Sequence, residues 1–165
     1  MRVQIEVAPG ELIDKLTILQ IKLGKITDKT KLRHVRNEFN TLNESVDRLK
    51  RSLSGKRQHE VVAKMGTFMK QLADVNLKIW NIEDQVRDCE SKADFGPEFV
   101  EAARSVYLTN DKRASIKKAI NSLFQSDIQE EKSYTEYREA PLKDSKTNVD
   151  KVNQQIKEHS RRNKK

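Results

Sequence analysis

One cysteine, three prolines, five glycines and an aromatic content of 5% are what this 165-residue chain has least of. The single thiol, Cys89, excludes an intramolecular disulfide and fits a reducing compartment. So few prolines and glycines leave little material for the frequent tight turns of an all-β fold. No apolar run approaches the roughly 18 residues that cross a bilayer. The opening Met1-Arg-Val-Gln-Ile-Glu-Val lacks the apolar core of a signal peptide. A soluble, cytoplasmic protein without membrane contact is therefore expected. His34, His59, His159 and Cys89 are too scattered for a zinc site. There is no phosphate-binding Gly-x-x-x-x-Gly-Lys-Ser/Thr loop and no Gly-x-Gly-x-x-Gly after a strand. No cofactor and no metal are expected.

Charge is abundant. Charged residues make up 35% of the chain and the net charge is +8. Residues 138–165 hold nine Lys/Arg against four Asp/Glu, so most of the excess sits in that stretch. The expected organisation is a helical domain over 1–137 and a flexible basic tail over 138–165. In the tail only Val149, Val152 and Ile156 keep helical spacing. Nucleic acid is an expected partner only through that tail, whose Arg161-Arg162-Asn163-Lys164-Lys165 is otherwise a solvated charge run.

The periodicity is helical. Val3, Ile5 and Val7 alternate with polar residues and predict a short N-terminal strand, with 128–137 as its one candidate partner. After Pro9-Gly10, Leu12, Leu16, Leu19, Leu23 and Ile26 form the stripe of a first helix. Thr27-Asp28-Lys29-Thr30 supplies a turn and a cap. A heptad then runs through Leu32, Val35, Phe39, Leu42, Val46, Leu49 and Leu53 to a stop at Ser54-Gly55. The third helix keeps its seam from Val61 through Leu72, Val75, Ile79, Ile82 and Cys89 to Ala93, a span of about 50 Å at 1.5 Å per residue. Gly96-Pro97 opens a fourth. The expected class is mainly all-α: an antiparallel helical bundle with long coiled-coil-like helices, one N-terminal strand and a polar C-terminal tail.

The fourth helix has a polar hole in its seam. Phe99, Ala102, Val106, Thr109, Arg113, Ile116, Ile120 and Leu123 step by threes and fours, yet the middle is Thr109 and Arg113, with Asn110 and Asp111 between. Burying an arginine without a partner is expensive. An acidic side chain, water or an anion must face it, or the helix must break there, with Thr109 or Asn110 capping a new one. Glu83 and Asp84 on the third helix are the expected partners. Trp80 lies on that same face, and Arg104 and Tyr107 lie one turn or more before Asp111. A solvated face of Glu83–Arg87-type ion pairs explains such residues without a ligand. The ligand reading uses the same residues as a pocket. Arg104 and Arg113 would offer guanidinium forks to phosphate or carboxylate, Thr109, Asn110 and Tyr107 directional hydrogen bonds, and Trp80 an aromatic wall.

Four separated segments carry a family resemblance: Gly10-Glu-Leu-Ile-Asp-Lys-Leu-Thr-Ile-Leu19, Ile79-Trp-Asn-Ile-Glu-Asp84, Ala103-Arg-Ser-Val-Tyr-Leu-Thr-Asn-Asp111 with Arg113, and Glu130-Glu-Lys-Ser-Tyr134. Over residues 2–137 the chain resembles an uncharacterised helical family of marine bacteria and phages, sometimes beside or fused to glycosyltransferases. The family's usual acidic residue is replaced here by Asn81, so no acid–base role follows for that position. The resemblance implies that the recurring segments are polar ones, and it names no reaction.

Two readings result. In the first, an anionic small molecule of the nucleotide or phosphosugar class binds between helices one, three and four. Lys15, Arg104 and Arg113 contact the anion, Glu83, Asp84 and Asp111 orient, and Trp80 and Tyr107 form walls. Were this an enzyme, Glu83 or Asp111 would be the acid or base. The magnesium chemistry of an all-α nucleotide pyrophosphatase is not expected, because no Glu-x-x-Asp follows Glu98-x-x-Glu101. In the second, the chain is a non-enzymatic interaction or scaffold protein. Its heptads form a homo-oligomer or dock on an enzyme such as a glycosyltransferase, and the polar segments are latches between helices.

Overall fold

A computed structural model describes residues 3–55, 58–135 and 137. It contains four helices, α1 (Pro9–Lys25), α2 (Lys29–Ser52), α3 (Gln58–Ser91) and α4 (Pro97–Leu123), and no strand among the described residues. The chain divides into two units, 1–131 and 132–165, and the first holds all four helices. Of the second, residues 132–135 and 137 are described and carry no regular structure. There the Lys132 ammonium lies 5.6 Å from the Tyr134 ring centroid.

The expected all-α class is the observed one, and the expected N-terminal strand does not form. Val3, Ile5 and Val7 are exposed, and residues 128–135, the one candidate partner, are irregular as well. A lone strand has no ladder to complete, so alternation alone cannot hold it extended. Pro9, placed by the sequence pattern at the end of that strand, instead occupies the first turn of α1, where its missing N–H costs nothing.

The other helix ends follow local chemistry. Asp28 caps α2, its carboxylate accepting the Lys31 N–H at 2.8 Å. Gly96 and Pro97 open α4. Both α3 and α4 close on a left-handed residue that is not glycine, Ala93 (φ 52°) and Gln125 (φ 53°). After α3, Ala93 N–H reaches the Glu90 carbonyl and Asp94 N–H reaches that of Cys89. After α4, Gln125 N–H reaches Ser122 and Ser126 N–H reaches Asn121. These paired bonds are Schellman closures. The turn at Ala93 therefore lies outside α3, although its apolar spacing counts it into the seam.

α1 packs on each of the other helices, and α3 and α4 pack on each other. The core is Ile13, Leu16, Val46, Met65, Leu72 and Ile120, flanked by Phe39, Leu42, Phe68 and Ile116. Each fully buried Leu, Ile or Met contributes about 1.5–3 kcal/mol. α1 is buried on more than one face, at Gly10, Ile13, Asp14, Leu16, Thr17 and Leu19. In α3 the buried seam runs through Leu72, Asn76, Ile79 and Ile82, with Asn76 rather than Val75 pointing inward. α4 runs unbroken through Thr109–Arg113, so the break that a polar seam allows does not occur.

Candidate functional site

The hole in the α4 seam is filled from α1. The Arg113 guanidinium grips the Asp14 carboxylate, with Nε 3.0 Å from Oδ1 and 3.1 Å from Oδ2, and Nη2 2.5 Å from Oδ2. Asn76 of α3 completes the group. Its Nδ2 donates to Asp14 Oδ1 at 2.8 Å and to Thr17 Oγ1 at 3.0 Å, and the Thr17 hydroxyl donates to the Asp14 carbonyl at 2.7 Å. Three helices are thus tied through one carboxylate. The Asp14 side chain is only 3% exposed, whereas that of Arg113 is 28% exposed. Hydrogen bonding to Asp14 raises the Arg113 pKa above its already high value, against the burial that would lower it.

One turn away the same two helices meet again. Lys117 is buried on α4 and its Nζ contacts Glu11 of α1 and, at 2.6 Å, Glu130 beyond the end of α4. Burial works against the Lys117 charge, but the hydrogen bonds to Glu11 and Glu130 outweigh it and push its pKa up. Beyond it, the Gly10 N–H donates to Asn121 Oδ1 at 2.8 Å. Ala8, the N-cap of α1, offers no side-chain acceptor, so an amide oxygen from α4 satisfies a donor of the first turn instead. A Cβ at Gly10 would stand 2.6 Å from the Lys117 carbonyl oxygen, which is why the residue there is glycine.

The residues singled out from the sequence divide. Asn110 and Arg113 come together, Nη1 lying 3.4 Å from Asn110 Oδ1, and Asn110 also donates to the Val106 carbonyl at 3.2 Å. Thr109 is buried beside them in the α4 seam. Glu83 and Asp84 are not what faces Arg113. Glu83 pairs along its own helix with Arg87 at 3.0 Å, and Asp84 is exposed. Lys15 points to α2, where it pairs with Glu38 at 2.8 Å. Arg104 pairs with Glu101 at 3.4 Å, Trp80 is half-buried on α3, and Tyr107 is exposed on α4. Asp111 takes the Ser115 hydroxyl on its backbone carbonyl at 3.0 Å.

The sequence pattern missed Asp14, Thr17, Asn76 and Lys117 as site members. A signal for Asp14 and Thr17 exists. Ile13, Ile18 and Ile21 lie off the leucine stripe of α1, so that helix has more than one apolar face, and polar residues between such faces are enclosed. Cys89 is buried, and burial followed by the Glu98, Asp94 and Asp88 carboxylates raises its thiol pKa. Among the described residues no fully buried side-chain polar atom lacks a partner, and no three His, Cys, Asp or Glu side chains are grouped to hold a metal. No helix among them is long and apolar enough to cross a membrane.

A sequence profile of a family of unknown function, DUF6165, matches residues 1–153, and the chain belongs to that family. The match continues past residue 137, where the resemblance read from the motifs ends. No curated protein and no solved structure shows significant similarity to the chain.

Proposed function

We propose that this member of the DUF6165 family is a non-enzymatic interaction module, an antiparallel coiled-coil-like bundle that presents helical surfaces to a protein partner. One observation carries the reading. The arginine that breaks the α4 seam is engaged by Asp14 along its Nε–Nη2 edge, and Asp14 is itself engaged by Asn76. A guanidinium fork aimed at a buried carboxylate is not free to bind phosphate. Three further charged candidates have protein partners, Lys15 with Glu38, Glu83 with Arg87 and Arg104 with Glu101. The polar segments of the family are then latches that fix the relative positions of α1, α3 and α4. The surface they hold in place includes α2, an amphipathic helix with Val46 as its one buried residue. A glycosyltransferase is the partner class that the family resemblance suggests.

The anion-binding reading retains one point in its favour. Arg113 Nη1 has only Asn110 at 3.4 Å, and the guanidinium edge is partly exposed, so a small anion could approach it. A thermal-shift titration with inorganic phosphate, nucleotides and nucleotide-sugars separates the two. A ligand at 100 times its dissociation constant stabilises by about 2.7 kcal/mol, a readily measured rise in Tm. The interaction module predicts no saturable rise. A saturable rise with wild-type protein would overturn it, and loss of that rise in Arg104→Ala, with the fold by circular dichroism retained, would put Arg104 in the anion site.

A further inference from the structure

The charge of the helical unit is polarised between its two hairpins. Residues 15–37, from mid-α1 into α2, hold seven Lys/Arg and one acidic residue. Residues 83–101, from the end of α3 into α4, hold seven Asp/Glu and two Lys/Arg. Both hairpins lie at one end of the unit, because the last residue of α1, Lys25, reaches Asn81 of α3 at 3.4 Å. α3 then continues to Ser91, about 15 Å further at 1.5 Å per residue.

Each hairpin also carries matching relief. On α2 an open groove of about 350 Å³ is lined by Lys29, Leu32, Arg33, Arg36 and Asn37. Among the described residues Lys29, Arg33 and Arg36 make no ion pair. At the other hairpin Phe95 is 53% exposed, standing edge-on to Phe99 with ring centroids 5.2 Å apart. Exposed Glu90 and Glu98 flank it in sequence. The groove sets Leu32 among the cationic Lys29, Arg33 and Arg36, and the tip sets Phe95 among acidic residues.

We infer that the α2 groove receives the α3–α4 tip of a second copy of this chain, with Phe95 over Leu32 and Glu90 and Glu98 against Arg33 and Arg36. Because one chain carries both surfaces at one end, two copies can exchange tips about a twofold axis, each contact occurring twice. This rests on the interaction-module reading and names the partner and the surface, which is a charged tip rather than the heptad seam.

Charge reversal tests it by light scattering after size-exclusion chromatography. Arg33→Glu with Arg36→Glu makes both surfaces acidic, and Glu90→Lys with Glu98→Lys makes both basic. Arg33 and Arg36 are exposed on α2, and Glu90→Lys puts positive charge in the last turn of α3, a position that favours that helix. Wild type is expected to be a dimer that weakens with added salt. Either reversed variant alone loses at least about tenfold in dimer affinity, and an equimolar mixture of the two regains it, since both contacts are again of opposite sign. Phe95→Ser weakens the dimer without changing its charge. A monomeric wild type, or reversed variants that still dimerise alone, would overturn the self-docking. So would a monomer that binds heparin through the groove, which would assign it to a polyanion. None of these results requires an anion-dependent Tm, so the failure of this inference is distinguishable from the failure of the module reading.

Discussion

Arg113 and Asp14 are not equivalent halves of their pair. Removing one partner of a buried ion pair costs about 3–5 kcal/mol, mostly because the other is left charged and dry. Arg113→Ala strands a carboxylate that is 3% exposed, whereas Asp14→Ala strands a guanidinium with 28% of its surface in water. Urea unfolding should therefore show Arg113→Ala losing more stability than Asp14→Ala, the first towards the upper end of that range and the second at or below the lower. Lys117 makes a second prediction. Its folded pKa is raised above the unfolded value of about 10.4. The stability it contributes is full below that pH and is lost as pH rises through the folded pKa. A stability profile taken upward from pH 9 should fall more steeply in wild type than in Lys117→Met. The sequence announces Arg113 as an anomaly because it interrupts a regular seam. It does not announce the partner, which lies 99 positions away, and the nearer-looking candidates Glu83 and Asp84 turn elsewhere.

Helices were the legible level, and their phases less so. Apolar residues at steps of three and four place α1, α2, α3 and α4, and Asp28, Gly96 and Pro97 mark starts that the structure uses. Val3, Ile5 and Val7 misled because alternation is necessary for a strand but a strand needs a neighbour. In α3 the inward position passes from Val75 to Asn76, since Asp14 and Thr17 need a donor there that valine lacks. No apolar periodicity records that need. The α3 end carries a prediction of its own. Ala93 sits at φ 52°, where a Cβ is disfavoured by roughly 1–2 kcal/mol and glycine is not. Set against the greater unfolded freedom of glycine, Ala93→Gly should raise stability by about 0.5–1 kcal/mol in urea unfolding. Gly10→Ala should act in the opposite direction, because its Cβ meets the backbone of α4.

For the whole molecule the polar residues between α1, α3 and α4 are a continuous latch, running from Gly10–Asn121 through Glu11–Lys117 to Asp14–Arg113. Composition and charge made the class visible: few turn formers, abundant charge and four amphipathic segments leave a helical assembly as the way to bury the apolar faces. The charge division between the two hairpins is also present in the sequence. It acquires meaning only when Lys25 and Asn81 bring both to one end. What separates a latch from a binding pocket is coupling inside the protein. The most direct measurement is a double-mutant cycle by urea unfolding on Asp14→Leu and Arg113→Met, read in the absence of any ligand. A latch predicts that each single variant is strongly destabilised and the double variant regains much of the loss, because an apolar pair can replace a buried ion pair at little cost, with a coupling of about 2 kcal/mol or more. Single variants as stable as wild type, with additive effects in the double variant, would contradict it and return Arg113 to the role of a residue held for a ligand.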